Sequence, residues 1–161
     1  MTGRTEDIML VETKWFGKVE IADDKIITFE NGLMGFEDYK KYTIIYDSTE
    51  ESKGGVMWLQ SLDEVSLALP VIDPMIIRQD YDPFVDDEAL KAIEIDDKTE
   101  FLVLVTMTVP AEIEKMSVNL KAPIVINAEN LKACQIIAEN DDYLVKFPIY
   151  ELLTNRMNKE D

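Results

Sequence analysis

Two glycines three residues apart, in the stretch FENGLMGFEDYKKY at residues 29–42, are the first candidates for chemistry in this sequence. Gly32 and Gly35 could form a phosphate-binding loop, because glycine lets main-chain N–H groups approach an anion closely. Such a loop also needs a lysine and a helix N-terminus directed at the phosphate, but Lys40 and Lys41 come only after two acidic residues. Dinucleotide-binding and P-loop glycine patterns are missing as well. The pair is therefore predicted to form a tight turn, with Gly35 at positive φ.

Catalytic and metal-binding side chains are scarce, since histidine is absent and Cys134 is the only cysteine. No Ser-His or Cys-His couple can form, and one cysteine cannot supply the ligands of a zinc site. Cys134 opens an apolar run, which predicts a buried and inert thiol. A calcium loop is the other candidate, because residues 80–100 contain nine acidic residues and two lysines. The alternation of oxygen ligands fails after Asp80 and Asp82, where Phe84 follows, and the stretch has no glycine. The sequence predicts neither a metal nor a cofactor.

Charge is the strongest feature of the composition: 33 acidic residues against 16 basic ones give a formal net charge of −17. This field repels the phosphates of nucleic acids and of anionic membranes, so direct binding to either is not expected. It attracts a basic protein, or it only keeps the protein in solution. Two alternative functions fit an acidic chain. One is a small β-barrel hydrolase that uses a pair of carboxylates, and the other is an acidic decoy that mimics nucleic acid. Abundant carboxylates do not by themselves indicate an enzyme, and the protein is predicted not to be one.

The length of 161 residues fits one domain, predicted to span residues 1–161. No apolar run reaches the roughly 18 residues that cross a bilayer. The first residues, MTGRTEDIMLVE, lack the apolar core of a secretory signal, and a single cysteine is typical of a reduced, cytoplasmic protein. Residues 1–8 and 151–161 are expected to be flexible ends, and the free protein is expected to be a monomer.

Short runs of β-favouring residues, separated by turn residues, dominate the chain. Residues 9–21 predict a β-hairpin that turns at Phe16-Gly17. Residues 86–95 predict the clearest helix, with acidic residues at its start and Leu90 and Ile93 on one face. The predicted fold class is mostly β: a compact, antiparallel β-barrel-like domain with one or two short α-helices. The other predicted strands are 26–29, 43–47, 56–62, 65–73, 101–109, 116–120, 123–127 and 134–138.

Three stretches of the chain carry an ordered set of motifs. The first is FENGLMGFEDYKKY (29–42), and the second is WLQSLDEVSLALPVIDP (58–74), in which an apolar strand ends at Asp-Pro. The third is NLKAPIVINAENLKACQII (119–137), which ends in a strand headed by glutamine. In this order they resemble the motifs of the FliW family of flagellar assembly factors, although Met34 stands where that family usually has proline. The resemblance runs from about residue 9 to residue 149.

The resemblance implies a non-enzymatic regulator with two protein partners. FliW-like proteins bind flagellin in the cytoplasm. When flagellin is exported, the released factor captures CsrA, a small basic RNA-binding protein that represses flagellin translation. The negative charge of this chain suits such a basic partner, because opposite charges speed the encounter of two proteins.

Leu33 and Met34, apolar at the tip of a turn, are predicted to bind protein together with Phe36, since a flexible methionine suits a surface that receives more than one partner. A second group, the acidic set, is predicted to face CsrA, with a plain solvated face as the alternative. The acidic set consists of Asp80, Asp82, Asp86, Asp87 and Glu88. The remaining motif residues are Phe29, Gly32, Gly35, Gln60, Asp73, Pro74, Asn119, Ala122, Pro123, Asn127 and Gln135, and they mark either the fold or an interface. For Pro123 and Asn127 the structural role is favoured.

Overall fold

A computed structural model describes residues 8–14, 16–46, 56–152 and 154, and β-strands dominate it. The strands are β1 (Ile8–Thr13), β2 (Gly17–Ala22), β3 (Ile27–Phe29), β4 (Lys41–Tyr46), β5 (Met57–Ser61), β6 (Ala68–Ile72), β7 (Phe101–Thr108), β8 (Ser117–Val118), β9 (Ile124–Asn127), β10 (Lys132–Gln135) and β11 (Phe147–Pro148). Two helices are α1 (Pro74–Ile77) and α2 (Asp87–Ala92), residues 150–152 are also helical, and 3-10 turns lie at Asp23–Lys25 and Ile113–Lys115. Within the described residues, no helix is long and apolar enough to cross a membrane.

Seven of the described strands close into a barrel, in the order β7, β6, β5, β4, β3, β10, β9 and back to β7. Every neighbouring pair in this ring is antiparallel except β3 and β10, which run parallel with Thr28 beside Lys132. The chain can make this parallel pair because about a hundred residues separate the two strands, so no tight hairpin has to join them. The predicted mostly β, barrel-like fold is confirmed.

Strand β7 joins the barrel to a smaller extension. Its first half pairs with β9, from Phe101 beside Asn127 to Leu104 beside Ile124. Its second half pairs with β8, which in turn pairs with β11. The hairpin of β1 and β2 forms a separate two-stranded sheet, as predicted, and Gly17 takes a φ of +66° where the hairpin turns.

Buried apolar side chains form a core inside the barrel and a second core on its outer surface. Phe29, Leu33, Tyr42, Leu59 and Ile124 belong to the inner core. The outer core lies between β7 and the segments around α1 and β11, and it includes Ile72, Tyr81, Val105, Leu120 and Tyr143. A third, smaller cluster packs α2 against the barrel through Ile93, Val125 and Ile136.

Several boundaries differ from the predicted ones. The predicted helix 86–95 is shorter, because Asp86 is its N-cap and Glu94 has a left-handed φ of +63°. The helix α1 and the strand β11 were not predicted, and β10 begins at Lys132 rather than at residue 134. Of the predicted flexible ends, residues 1–7 and 155–161 lie outside the described residues. Ile8 begins β1 and residues 151 and 152 are helical, so parts of both predicted ends lie in regular structure, and their flexibility stays a prediction.

Candidate functional site

The turn between β3 and β4 is built from three successive main-chain hydrogen bonds. Gly32 N–H donates to the Phe29 carbonyl at 2.9 Å, Phe36 N–H to the Leu33 carbonyl at 2.8 Å, and Tyr39 N–H to the Phe36 carbonyl at 3.1 Å. The predicted turn is present, and Gly35 has the expected positive φ, of +89°.

Gly32 is the more constrained of the two glycines, which the sequence did not indicate. Its φ is +70°, and a Cβ atom at this position would lie 2.6 Å from the Cα atom of Glu37. At Gly35, in contrast, a Cβ atom would meet nothing within 4 Å. Only Gly32 therefore combines a left-handed backbone with a close approach of another main-chain segment.

The prediction that Leu33 is exposed at the tip of this turn is wrong. Its side chain is only 2% exposed and belongs to the inner core of the barrel. The reason is that the turn folds back on itself, with Leu33 and Phe36 paired in an isolated β-bridge, so this apolar side chain packs inward. Met34 is 45% exposed and Phe36 is half-buried against the same core. Of the three predicted protein-binding residues of the turn, Met34 is the one that a partner can reach freely.

Gln135 connects the first motif to the third. Its Oε1 atom accepts a hydrogen bond from Met34 N–H at 2.9 Å, and its Nε2 atom donates to the Ala122 carbonyl at 3.1 Å. The Asn119 carboxamide oxygen accepts from the N–H groups of Lys121 and Ala122, both at 3.1 Å. The structure thus brings these motif residues together as main-chain supports.

The remaining residues of the third motif are also tied into the fold. Asn127 is buried; its Nδ2 atom donates to the Ile93 carbonyl at 2.8 Å, and its Oδ1 atom accepts from Glu129 N–H at 2.8 Å. Pro123 is buried at the start of β9, and its carbonyl accepts from Ile136 N–H at 3.0 Å. These contacts support the structural role that the sequence favoured for Pro123 and Asn127.

Residues of the second motif also form hydrogen bonds with the main chain. Gln60 is fully buried, and its Nε2 atom donates to the Ser61 carbonyl at 2.8 Å, while its Oε1 atom has no partner among the described residues. Asp73 is the N-cap of α1, since its carboxylate accepts from Met75 N–H at 2.9 Å, and Pro74 occupies the first helical position. A further carboxylate of this motif, Asp63, accepts from the main chain of Lys40 at 2.7 Å and so ties the second motif to the first.

The acidic set lies on one continuous segment, but its members differ in what they do. Asp80 pairs with Arg78 at 2.9 Å, and Asp86 caps α2 by accepting from Glu88 N–H at 3.0 Å. Asp82, Asp87 and Glu88 are exposed, although Glu88 also lies 3.9 Å from Lys91. Nearby basic side chains therefore neutralise part of the negative charge of the acidic set, and the Asp86 carboxylate also stabilises the start of α2.

The segment that carries the acidic set is held firmly against the loop after β10. Asp82 N–H donates to the Tyr143 hydroxyl at 2.6 Å, and Phe84 N–H donates to the Asn140 carboxamide oxygen at 2.7 Å. The Phe84 carbonyl accepts from Glu139 N–H at 2.7 Å, and the Phe84 ring is 64% exposed. Sequence reasoning did not single out Phe84 as a surface residue; an aromatic residue inside an acidic run was the available signal.

Two surface carboxylates, Glu37 and Glu64, have a lowered pKa. Hydrogen bonds from the Gly35 main chain lower the pKa of Glu37, and the Ser66 hydroxyl lowers the pKa of Glu64. A general acid needs the opposite shift. Burial raises the pKa of the Cys134 thiol to about 11, so the thiol is protonated at neutral pH, in agreement with the predicted inert cysteine. Within the described residues, no group of three or more histidine, cysteine, aspartate or glutamate side chains is placed to hold a metal ion.

The geometry defines a class of protein: a closed β-barrel whose candidate site is an exposed surface, and whose motif residues maintain the fold. A model of the FliW protein family matches residues 10–149. The chain is 47% identical over 153 residues to the flagellar assembly factor FliW of Lachnoclostridium phytofermentans, covering 95% of this chain and 98% of that protein. It is 48% identical over 151 residues to the flagellar assembly factor FliW of Lachnospira eligens, covering 93% of this chain and 100% of that protein.

A solved structure leads to the same family. The chain is similar to the crystal structure of a flagellar assembly factor FliW with a TM-score of 0.78 and 28% sequence identity, over 88% of this chain and 96% of the other. The chain therefore belongs to the FliW family of flagellar assembly factors.

Proposed function

We propose that this protein is a non-enzymatic cytoplasmic regulator that binds flagellin and, when flagellin is exported, binds and antagonises CsrA. Antagonism of CsrA relieves the repression of flagellin translation. The observation that carries the proposal is the family match over residues 10–149, which spans the whole barrel. Relatives at 47% and 48% identity over nearly their full length bear the name of flagellar assembly factor.

The charge of the chain supports CsrA as a partner. A net charge of −17 favours a fast encounter with a basic protein and opposes the RNA that this protein binds. Asp82, Asp87 and Glu88 are exposed on a segment fixed by hydrogen bonds, so little ordering is needed when a partner binds there. The acidic set therefore remains the proposed CsrA-facing surface, with Asp86 acting also as a helix cap.

Binding of the purified protein to flagellin and to CsrA from the same organism tests the proposal. We expect discrete complexes with each partner and at least partial competition between them, measured by calorimetry and by gel filtration of the three-protein mixture. Absence of both complexes at about 10 μM, a binding free energy of about −7 kcal/mol, would overturn the proposal.

An unrelated protein of similar size and positive charge is the control for the acidic decoy. A decoy binds this control as well as CsrA, and about 0.5 M salt abolishes both interactions because they contain little apolar contact. We expect the unrelated protein not to form a complex at the concentration at which CsrA does.

A further inference from the structure

One stretch of the barrel wall has an unpaired edge. Strand β6 pairs with β7 only at Val71 and Ile72, which lie beside Thr106 and Val105. After Ile72 the chain turns away at Asp73 and enters α1. The first half of β7, Phe101–Leu104, therefore pairs with β9 on one side and with no strand of the described chain on the other.

The direction of the main-chain groups along this edge follows from the ladder. Ala128 N–H donates to the Glu100 carbonyl at 3.0 Å, so the polar groups of Glu100, and by alternation those of Leu102 and Leu104, point towards β9. The N–H and C=O groups of Phe101 and Val103 point the opposite way. No described residue forms a hydrogen bond with them there, although Val105, two residues further along β7, pairs with β6.

An apolar groove of about 310 Å³ lies along this edge. Phe101 and Leu102 are 50% and 46% exposed on one side, and Met75 of α1 is 49% exposed over the groove. Ile44 of β4 and Met57 of β5 form the opposite wall. The groove thus lies along the part of β7 that β6 would cover if it continued past Ile72.

Three stretches of the sequence outside the described residues are polar and are poor candidates to fill an apolar groove. Residues 1–7 (MTGRTED), 47–55 (DSTEESKGG) and 155–161 (NRMNKED) consist almost wholly of polar and charged residues. An apolar groove is filled by apolar side chains, because burying polar ones without partners is costly. We therefore look for the occupant in another molecule.

A second copy of this chain is a poor occupant because of charge. Two molecules that each carry −17 repel one another, and pairing of two β7 edges would bring the carboxylates of Asp73 and Glu100 near their counterparts. The same carboxylates attract a segment with basic flanks. Both the apolar lining and the acidic rim thus favour a different protein.

We propose that this groove binds an extended apolar segment of a partner protein, flanked by basic residues, which adds as a strand to the free edge of β7. Main-chain hydrogen bonds to Phe101 and Val103 give the segment its alignment, and the side chains of Phe101, Met57 and Met75 form the apolar contact. The inference rests on the proposed function, because the probe for the groove is flagellin, the partner expected to bind first.

Replacement of an exposed apolar residue at each end of β7 tests the groove. Phe101→Glu places a charge in the groove, and Val109→Glu makes the same kind of change at a residue that is 51% exposed just beyond the other end of the strand. We expect Phe101→Glu to weaken flagellin binding at least about tenfold, as loss of an aromatic anchor does, and Val109→Glu to leave it within about twofold. Unchanged melting temperatures show that both variants are folded.

Amide hydrogen exchange, followed residue by residue by NMR, tests the added strand itself. Flagellin should slow exchange at Phe101 and Val103, while the Leu102 amide between them, already bonded to β9, serves as the internal control. Unaltered exchange at Phe101 and Val103 in a complex that does form would overturn strand addition.

The outcomes separate the groove from the proposed function. If flagellin binds the wild type, Phe101→Glu and Val109→Glu equally, the groove is wrong and the proposed function stands. If the wild type does not bind flagellin, the proposed function fails and this inference fails with it. A dimer of the free protein at about 100 μM that Phe101→Glu dissociates would make a second copy the occupant, contrary to the inference.

Discussion

The turn at residues 29–42 and the first half of β7 both place apolar residues near solvent, but their main chains differ. In the turn, the N–H group of Met34 is bonded to Gln135 and that of Phe36 to the Leu33 carbonyl. Along β7, the outward main-chain groups of Phe101 and Val103 have no partner in the described part of the chain. These main-chain groups of the turn are therefore already hydrogen-bonded within the protein. The first half of β7, which carries no family motif, has unpaired main-chain groups that a partner could bond.

This difference bears on what a motif residue can indicate about an interface. A residue pattern is distinctive when the backbone demands it, as it does at Gly32, at the Gln135 bridge and at the Asp73 cap. A surface that binds a partner needs only exposed apolar or charged side chains, and many residue types satisfy that need. The contacts of these motif residues consequently explain their fold role, and we looked for a binding surface through exposed side chains and unpaired main-chain groups.

The largest expected effect lies at Gly32. Gly32→Ala would add a Cβ atom 2.6 Å from main-chain atoms of Glu37 at a φ of +70°, so one of the two segments has to move. We expect a loss of about 2–5 kcal/mol in the free energy of unfolding, from left-handed strain and overpacking together, measured by urea denaturation.

Gly35→Ala is the matched control, because the residue has a φ of +89° and open space around the added atom. Strain alone predicts a loss of about 1–2 kcal/mol. Equal losses for the two variants would show that the contact of Gly32 with Glu37 is unimportant, and the turn would then be no more demanding than its backbone angles.

The sequence was sufficient to predict the barrel, because the alternating and apolar runs of β3 to β7 and β9 correspond to strands whose positions agree with prediction to within a few residues. It was not sufficient for Leu33, since either residue of the apolar pair Leu33-Met34 between two glycines could lie at the tip or face inward. Nor could it show the free edge of β7: its first five residues, FLVLV, are all apolar, and only the early departure of β6 at Asp73 leaves part of the strand unpaired.

The next largest effect is expected at Gln135, which holds the turn to the loop before β9. Gln135→Ala leaves Met34 N–H and the Ala122 carbonyl without their partners. Because Met34 is partly exposed and water can replace one bond, we expect a loss of about 1–2 kcal/mol in unfolding free energy.

The affinity of Gln135→Ala for flagellin tests whether the turn or the groove along β7 contacts this partner. If the turn is only a structural support and the groove along β7 is the apolar site, the affinity of the folded variant for flagellin should stay within about twofold of the wild type. A tenfold loss of affinity for flagellin, in a variant that melts well above the assay temperature, would indicate that the turn, with Met34 at its tip, is part of the flagellin interface.

The smallest effect on stability is expected at Asp86, whose carboxylate both caps α2 and contributes charge to the acidic set. Asp86→Ala removes the cap of α2 and the charge together, whereas Asp86→Asn removes the charge and keeps a side chain that caps well. We expect a loss of about 1 kcal/mol in stability for alanine and a few tenths for asparagine.

Association with CsrA should follow the charge and not the cap. Both Asp86 variants should slow association by a similar factor, and the combined change Asp87→Asn and Glu88→Gln, which leaves the cap untouched, should slow it further and reduce its dependence on salt. The pair Glu112→Gln and Glu114→Gln, in the turn after β7, removes the same charge elsewhere and is the control. Equal slowing by both pairs would mean that CsrA responds to the total charge of the molecule. Slowing by the α2 pair alone would place CsrA on the acidic set, away from the groove in which a strand of flagellin is proposed to lie.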